Sequence, residues 1–478
     1  MVLMYLVILD GMGLRDEHSS QNRNALKVSD TPNIDKALTE NPNTELKCHG
    51  KYVGLPKSRT GSSEVGHLTI GSGQRVEQPY ITINRMLDGN IPDEIDQILK
   101  SVDSIHFVGL CSDGGIHSDI EHLMKLIEAG NKYGVQNFVH FISDGRDVQS
   151  GTAVNYARAL KSKGAEISSV VGRYYAMDRD DNTDRTRMAL NAFYGNSDIK
   201  FDSFEKAVSQ QYSKGIDDQH IRPIDIQGVK NLNIGSNVFF FNFRDDRMRQ
   251  IADLISEGIE GNLHSMIRYI NSSEISTIVT RKPVRTTLHD VLSMNGYQDF
   301  RISESEKEPH VSWFFDGRRR IDSKNLNKNI VESPEAERYS DTPKMRASSI
   351  TDLAISIDET SQKFCLVNYA NLDLVGHNGD FDATVRAIEN VDTQVGRLLK
   401  NIKSTVILTS DHGNVEEMGP ERNPDRSHTS NPVPMAIANL ECSLKEGELS
   451  DITPTMLDIL GIENECFQGR SLIRDSEF

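Results

Sequence analysis

Seven short apolar runs limit what this chain can become. They occupy Leu3–Leu9 and residues 105–110, 138–142, 168–171, 238–243, 364–369 and 405–408. Most are nearly continuous in apolar residues, the pattern of strands buried on both faces. Helical periodicity lies between them. Ile120, Leu123, Met124 and Ile127 share one face of a helix over 120–129. Phe381, Val385, Ile388, Val391, Val395, Leu398 and Leu399 do the same over 381–402. A further helix is predicted over 453–460, with Asp451 as its cap. Strands alternating with helices build an α/β protein with mostly parallel sheets.

The 478 residues suffice for more than one such domain. No run approaches the ~18 apolar residues of a membrane span. The first apolar run has neither a basic lead-in nor a small-residue cleavage site, so it reads as a strand and not a signal peptide. A net charge of −17 argues against nucleic acid and anionic membranes as partners. Five scattered cysteines without a C-x-x-C pair point to a reduced, cytoplasmic setting. Residues 71–75 and 282–286 are candidate hinges, and 317–344 reads as an exposed polar excursion.

The carboxyl ends of the strands carry chemistry. Asp10-Gly11, 112–117, 144–147, Gly172-Arg173, Arg244 with Arg247, 371–373 and 411–413 all lie just beyond an apolar run. In open α/β sheets that edge is where ligands bind. Asp10, Asp373 and Asp411 offer three carboxylates, and His377, His412 and His428 three imidazoles. Mixed oxygen and nitrogen donors without thiolates suit Mn²⁺, Zn²⁺, Fe²⁺ or Mg²⁺. Six donors are too many for one tetrahedral ion and right for two, an arrangement suited to phosphoryl transfer.

Residues 60–67 read T-G-S-S-E-V-G-H. Val65 stands where a G-x-S-x-G elbow would need glycine after Ser63, which argues against a serine-triad hydrolase. Ser62 or Ser63 could cap a helix. Either could instead be a nucleophile activated by a metal ion, which predicts a phosphoserine intermediate. Arg146, Arg173, Arg179, Arg244 and Arg247 form a second, anion-binding set. His117 and Asp147 could handle hydroxyl protons there.

Taken together, these motifs resemble the cofactor-independent (2,3-bisphosphoglycerate-independent) phosphoglycerate mutases of the alkaline-phosphatase-like metalloenzymes. The resemblance rests on V-I-L-D-G at 7–11, G-S-S-E-V-G-H-L-T-I-G at 61–71, S-D-G-G-I-H-S at 112–118 and S-D-G-R-D at 143–147. It continues through G-R-Y-Y-A-M-D-R-D at 172–180, F-F-N-F-R-D-D-R at 240–247 and S-E-K-E-P-H-V at 305–311. It closes with N-L-D-L-V-G-H at 371–377, S-D-H-G-N at 410–414 and S-H-T-S-N-P-V-P at 427–434.

The resemblance implies two α/β domains. An alkaline-phosphatase-like, metal-binding domain with a mostly parallel sheet would be discontinuous, over 1–73 and 287–478. An inserted α/β phosphotransferase domain would span 76–284, with the active site in the cleft between the two. It also implies roles. Ser63 would accept the phosphoryl group. Asp10, Ser63, Asp411 and His412 would hold one metal ion, and Asp373, His377 and His428 the other. Manganese is the first choice, with Mg²⁺, Zn²⁺ and Co²⁺ as alternatives. Lys307, Arg244 and Arg247 would hold the phosphoryl group. Arg173 and Arg179 would bind the substrate carboxylate. His117, Arg146 and Asp147 would lie near its hydroxyls, with Asp147 exchanging protons.

The implied reaction interconverts 3-phosphoglycerate and 2-phosphoglycerate in glycolysis and gluconeogenesis, in a monomer. Competing readings are a metal-dependent phosphatase or phosphodiesterase, a phosphopentomutase and a non-catalytic binding protein. Three features depart from the family pattern: Ser62 in place of asparagine, Asp245 in place of proline, and the basic run Arg318–Arg320, for which there is no functional reading.

Overall fold

A computed structural model describes residues 3–89, 91–269, 275–280, 283–357, 362–463 and 465–474. The chain forms two compact units, Met1–Gln78 with Pro283–Phe478, and Pro79–Lys282.

The first unit is built on an eight-stranded sheet. Across it run Leu326–Val331, Gln298–Glu304, Lys363–Tyr369, Leu3–Leu9, Thr405–Thr409, Val433–Ala438, Asn43–Lys47 and Gly447–Glu448. Only Val433–Ala438 runs against its neighbours; the other pairings are parallel. The strand at Leu3–Leu9 shows why its run is apolar. Leu3, Tyr5, Val7 and Leu9 enter one core, packed with helices Ala347–Ser356 and Phe381–Asn401. Met4, Leu6 and Ile8 enter the other, with helices Ser63–Ser72, Leu288–Met294 and Ile452–Ile459. A strand points alternate side chains to opposite faces, so a strand covered on both sides must be apolar throughout.

The second unit has its own eight-stranded sheet around a single core. Its order is Ile275–Val279, Leu263–Ile267, Val238–Phe240, Ser104–Leu110, Gln136–Ser143, Ala165–Gly172, Ile224–Ile226 and Lys200–Phe201. The first six strands are parallel and the last two run the other way.

All seven expected strands are present, although the run at 238–243 is a strand only over Val238–Phe240. The helix at Phe381–Asn401 begins where Asp380 accepts the Ala383 N–H, a side-chain cap. Asp451 takes the expected cap position of the helix Ile452–Ile459, but its side chain makes no capping bond. Its carboxylate accepts instead from the Glu448 and Arg470 backbone N–H groups. The stretch at 317–344 is more than an excursion, because it carries the edge strand Leu326–Val331. The expected hinge at 71–75 belongs to the first unit: Gly71 and Ser72 end a helix, and Arg75 pairs with Glu448 at 2.5 Å. The chain leaves this unit after Gln78. Lys282 of the second expected hinge lies outside the described residues, and Pro283 to Thr286 fall in the first unit.

Candidate active site

Strand ends gather the first cluster. Asp10 follows Leu3–Leu9, Asp373 sits in the helical turn Asn371–Gly376 after Lys363–Tyr369, and Asp411 and His412 follow Thr405–Thr409. These three strands are neighbours in the sheet, so their carboxyl ends bring the three aspartates together. Gly11, at φ +88°, lets the chain turn hard against Asp373, whose Cα would lie 3.0 Å from any added Cβ.

Ser63 is the first residue of its helix and is 5% exposed. Its Oγ lies 3.1 Å from Asp10 Oδ1, 2.9 Å from His412 Nε2 and 2.7 Å from Lys307 Nζ. Ser62 occupies the cap position, yet its side chain makes no capping bond. The hydroxyl turned into the cluster is therefore that of Ser63. Lys307 Nζ also donates to Asp10 Oδ1 at 2.8 Å and Asp373 Oδ2 at 2.7 Å.

The histidines are oriented by backbone carbonyls. His377 Nδ1 lies 2.7 Å from Arg426 O, His428 Nδ1 2.9 Å from Gly61 O, and His412 Nδ1 3.2 Å from Gly413 O. A carbonyl only accepts, so each Nδ1 carries a proton and each ring turns its Nε2 inward, an atom that offers a lone pair whenever the ring is neutral. The Nε2 atoms of His377 and His428 are 2.9 Å apart, and each is 3.2 Å from Asp373 Oδ1. Nitrogen atoms and a carboxylate converging on one point suit a cation. Two groups meet that description, Asp373 with His377 and His428, and Asp10 with Asp411 and His412. Within each, the donor atoms lie within 4.8 Å of one another. The oxygen and nitrogen donors suit divalent metal ions.

Electrostatics agrees. Burial alone would raise the Asp10 carboxyl, but the Lys307 ammonium and then His412 hold it well below its usual range. Asp373 is likewise held far down by Lys307 and His377 against the effect of burial. Burial would lower His412, but the carboxylates of Asp411, Asp10 and Asp373 push it up to about 10. The Lys307 ammonium is kept charged by Asp10 and Asp373 although it is fully buried.

The second cluster lies in the other unit, again at strand ends. Asp147 and Asp144 follow Gln136–Ser143, and Arg173 follows Ala165–Gly172. Arg173 is 4% exposed, and its Nη1 sits 2.6 Å from Asp144 Oδ1 and 2.7 Å from Asp147 Oδ2. His117 Nε2 is 4.0 Å from Asp147 Oδ2. Burial raises the Asp147 carboxyl against the pull of Arg173, so this acid holds its proton more readily than a surface aspartate. Arg244 and Arg179 reach Asp246 at 3.0 and 3.4 Å, and His117 Nδ1 is 3.8 Å from the same carboxylate. Arg247 donates to Met177 O at 3.2 Å. Burial and then the charges of Arg179 and Arg146 pull the Arg247 guanidinium below its usual value. Arg146 itself is exposed. The cluster is crowded with cations and suits an anionic ligand.

The Metalloenzyme superfamily profile matches residues 3–464. A 2,3-bisphosphoglycerate-independent phosphoglycerate mutase of Haloquadratum walsbyi is 37% identical, over 98% of this chain and 99% of that one. A namesake from Ehrlichia ruminantium is 36% identical, over 98% of each chain. The chain belongs to the 2,3-bisphosphoglycerate-independent phosphoglycerate mutases. A solved phosphoglycerate mutase of Leishmania mexicana, described at low cobalt concentration, superposes with a TM-score of 0.79 at 26% identity. The match covers 99% of this chain and 98% of that one.

Several residues of this mutase-family site are not evident from the sequence. His67 Nδ1 lies 3.0 Å from both Ser63 O and Asp411 Oδ2. Asn368 donates to Asp10 Oδ2 at 2.8 Å, and Asn414 to Asp373 Oδ1 at 3.1 Å. These groups orient the candidate ligands and do not join them. A histidine four positions after Ser63 on the same helix is the one available signal. Asp144 and Asp246, which brace the arginines of the second cluster, look like ordinary loop acids in the sequence.

Proposed function

We propose that this chain interconverts 3-phosphoglycerate and 2-phosphoglycerate without 2,3-bisphosphoglycerate, through a phosphoserine at Ser63. One observation carries the reading: the Ser63 hydroxyl is held between the Lys307 ammonium and the Asp10 carboxylate, inside two clusters suited to metal.

Asp10, Ser63, Asp411 and His412 would hold one divalent ion, and Asp373, His377 and His428 the other, with Mn²⁺ the ion we propose. When bound, such ions lower the pKa of a coordinated hydroxyl and neutralise phosphoryl charge. The chain supplies the remainder. Ser63 Oγ attacks phosphorus from the amino end of its helix, where unpaired N–H groups favour negative charge. Lys307 stabilises the Ser63 oxygen and the charge on the phosphoryl oxygens it approaches. Asp147, whose carboxyl burial raises against the pull of Arg173, gives a proton to the departing glycerate oxygen. It then takes a proton from the other glycerate hydroxyl as that oxygen attacks the phosphoserine. Ser63 enters and leaves as the alkoxide that Lys307 stabilises, so protons balance over the cycle. Arg173 fixes Asp147. Arg179, Arg244, Arg247, Arg146 and His117 supply charge and hydrogen bonds to the phosphorylated acid.

This is a step of glycolysis and gluconeogenesis, placed here in the cytoplasm, with a small phosphorylated acid as partner and not a membrane or nucleic acid. Five free cysteines and a charge of −17 support that placement. Both clusters lie within one chain, which supports a monomer as the working unit. The test is purified protein with 3-phosphoglycerate and Mn²⁺, no bisphosphoglycerate, and 2-phosphoglycerate read by coupling to enolase. Steady 2-phosphoglycerate formation is expected; release of inorganic phosphate in its place would mark a phosphatase.

A further inference from the structure

Just after Lys307 the chain leaves the ordinary helical path. The Phe315 N–H donates to His310 O at 3.2 Å and the Arg318 N–H to Trp313 O at 2.7 Å, both reaching back five residues. Wide turns of this kind are rare and recur at functional sites. The turn ends in strain, with Arg318 at φ +63°, a left-handed backbone disfavoured for a residue with a Cβ.

Beside the turn lies a cavity of about 430 Å³, lined by Trp313, Arg319, Arg320, Lys328, Glu308 and Asp316 among others. No residue of the two strand-end clusters lines it. Trp313 is the only tryptophan in the chain and is 39% exposed. The cations around it differ in their commitments. Arg319 is spent on the fold, bonding Asp316 O at 3.1 Å, Arg285 O at 3.0 Å, Thr287 Oγ1 at 3.1 Å and the Asp290 carboxylate. Lys328 pairs with Glu308 at 2.8 Å. Arg320 is exposed and makes no hydrogen bond or ion pair among the described residues. A part-exposed indole and an uncommitted guanidinium thus share a cavity of the size that holds small ligands.

We propose that this cavity is a regulatory site for a planar aromatic anion of the nucleoside monophosphate class. The base stacks on Trp313, as bases stack on exposed aromatic rings, and the phosphate meets the planar fork of Arg320. The far side of the turn touches the machinery around Ser63. The His310 ring lies 5.7 Å from that of His67, which braces Ser63 and Asp411. Phe315 O presses so closely on Gly71, in the helix that begins at Ser63, that a Cβ there would lie 2.1 Å away. Packing this close passes a shift of the turn to the Ser63 helix and to Lys307.

Binding is independent of the mutase activity proposed for the chain; only the coupling rests on it. The experiment is a titration of the Mn²⁺-loaded full chain with adenosine 5′-monophosphate, following the fluorescence of its single tryptophan. A saturable change is expected, and Arg320→Glu should raise the half-saturating concentration about tenfold or more. Inorganic phosphate over the same range should leave the fluorescence unchanged. No saturable change, an unaltered titration in Arg320→Glu, or an equal effect of inorganic phosphate would each overturn the site. Turnover of 3-phosphoglycerate at saturating nucleotide should change in the natural chain and not in Arg320→Glu. Turnover unaltered while the fluorescence saturates would overturn the coupling alone. A chain with no turnover would count against the proposed function and leave the fluorescence result standing.

Discussion

Lys307 Nζ stands 2.7 Å from Ser63 Oγ, across 244 positions of sequence, and is almost wholly buried. The same ammonium bonds Asp10 and Asp373, one carboxylate from each metal-suited group. In the metal-free protein it and the charged His412 ring hold these acids together.

Replacing it tests that role. Lys307→Met takes from Asp10 and Asp373 the ammonium they share and leaves only His412 as a counter-charge, a loss of up to about 3–5 kcal/mol for buried charges stripped of a partner. Thermal unfolding of the metal-free variant should show the loss, and added Mn²⁺ should recover most of it. Turnover should fall by about 10²–10³-fold, the scale of losing one transition-state charge contact. A metal-free variant as stable as the natural chain would contradict the assignment.

Metal uptake should expel protons. In the metal-free chain His412 is held at about 10, above its ordinary 6.5, by Asp411, Asp10 and Asp373 outweighing burial. The stabilisation from charged His412 is therefore complete below 6.5 and lost as pH climbs toward 10. Only the neutral ring binds metal, so Mn²⁺ must displace the proton, and its affinity should rise with pH across that window. Calorimetric titration near pH 7.5 in buffers of different ionisation enthalpy should report roughly one proton released from this site. Uptake without proton release would place His412 outside the metal site.

Glu304 offers a stability test away from the chemistry. Its carboxyl is buried, one oxygen accepts from the Arg346 N–H at 2.9 Å, and the other has no partner. Burial pushes its pKa from 4.5 to about 7. The folded chain therefore keeps a proton that the unfolded chain gives up, and stability should fall as pH rises through that window, by at most about 3 kcal/mol. Glu304→Gln should gain most of this back at about pH 8 and little at about pH 5, by urea denaturation. Equal effects at both pH values would contradict the sign.

Asp147 and Asp246 should separate in kinetics. Asp147→Asn removes the proton carrier and should lower kcat by about 10²–10⁴-fold with a smaller change in KM. Asp246→Asn takes one carboxylate from Arg179 and Arg244 and should act mainly on KM. The reverse pattern would exchange their roles.

The fold and the ligands are legible in sequence for the same reason. Strands buried on both faces read as apolar runs, and Asp10, Asp373 and Asp411 stand at or just past their ends. Gln298–Glu304 escapes such a reading because it buries Asp299, Arg301 and Glu304, charges that break the apolar pattern. Arg301 is satisfied by Asp299 at 2.5 Å and Asp316 at 3.2 Å, a pairing invisible until the chain is folded. His67 and Asn368 are hidden in the same way. One lies inside a helix and the other inside a strand, and the carboxylates they brace, Asp411 and Asp10, are far away in sequence.

The central claim is that the Ser63 oxygen carries the phosphoryl group. Acid quenching of the Mn²⁺-loaded protein during turnover of 3-phosphoglycerate, followed by peptide mass spectrometry, reads this directly. Phosphate on Ser63, lost in Ser63→Ala and kept in Ser62→Ala, is the result expected. Phosphate on Ser62, or undiminished 2-phosphoglycerate formation by Ser63→Ala, would contradict it.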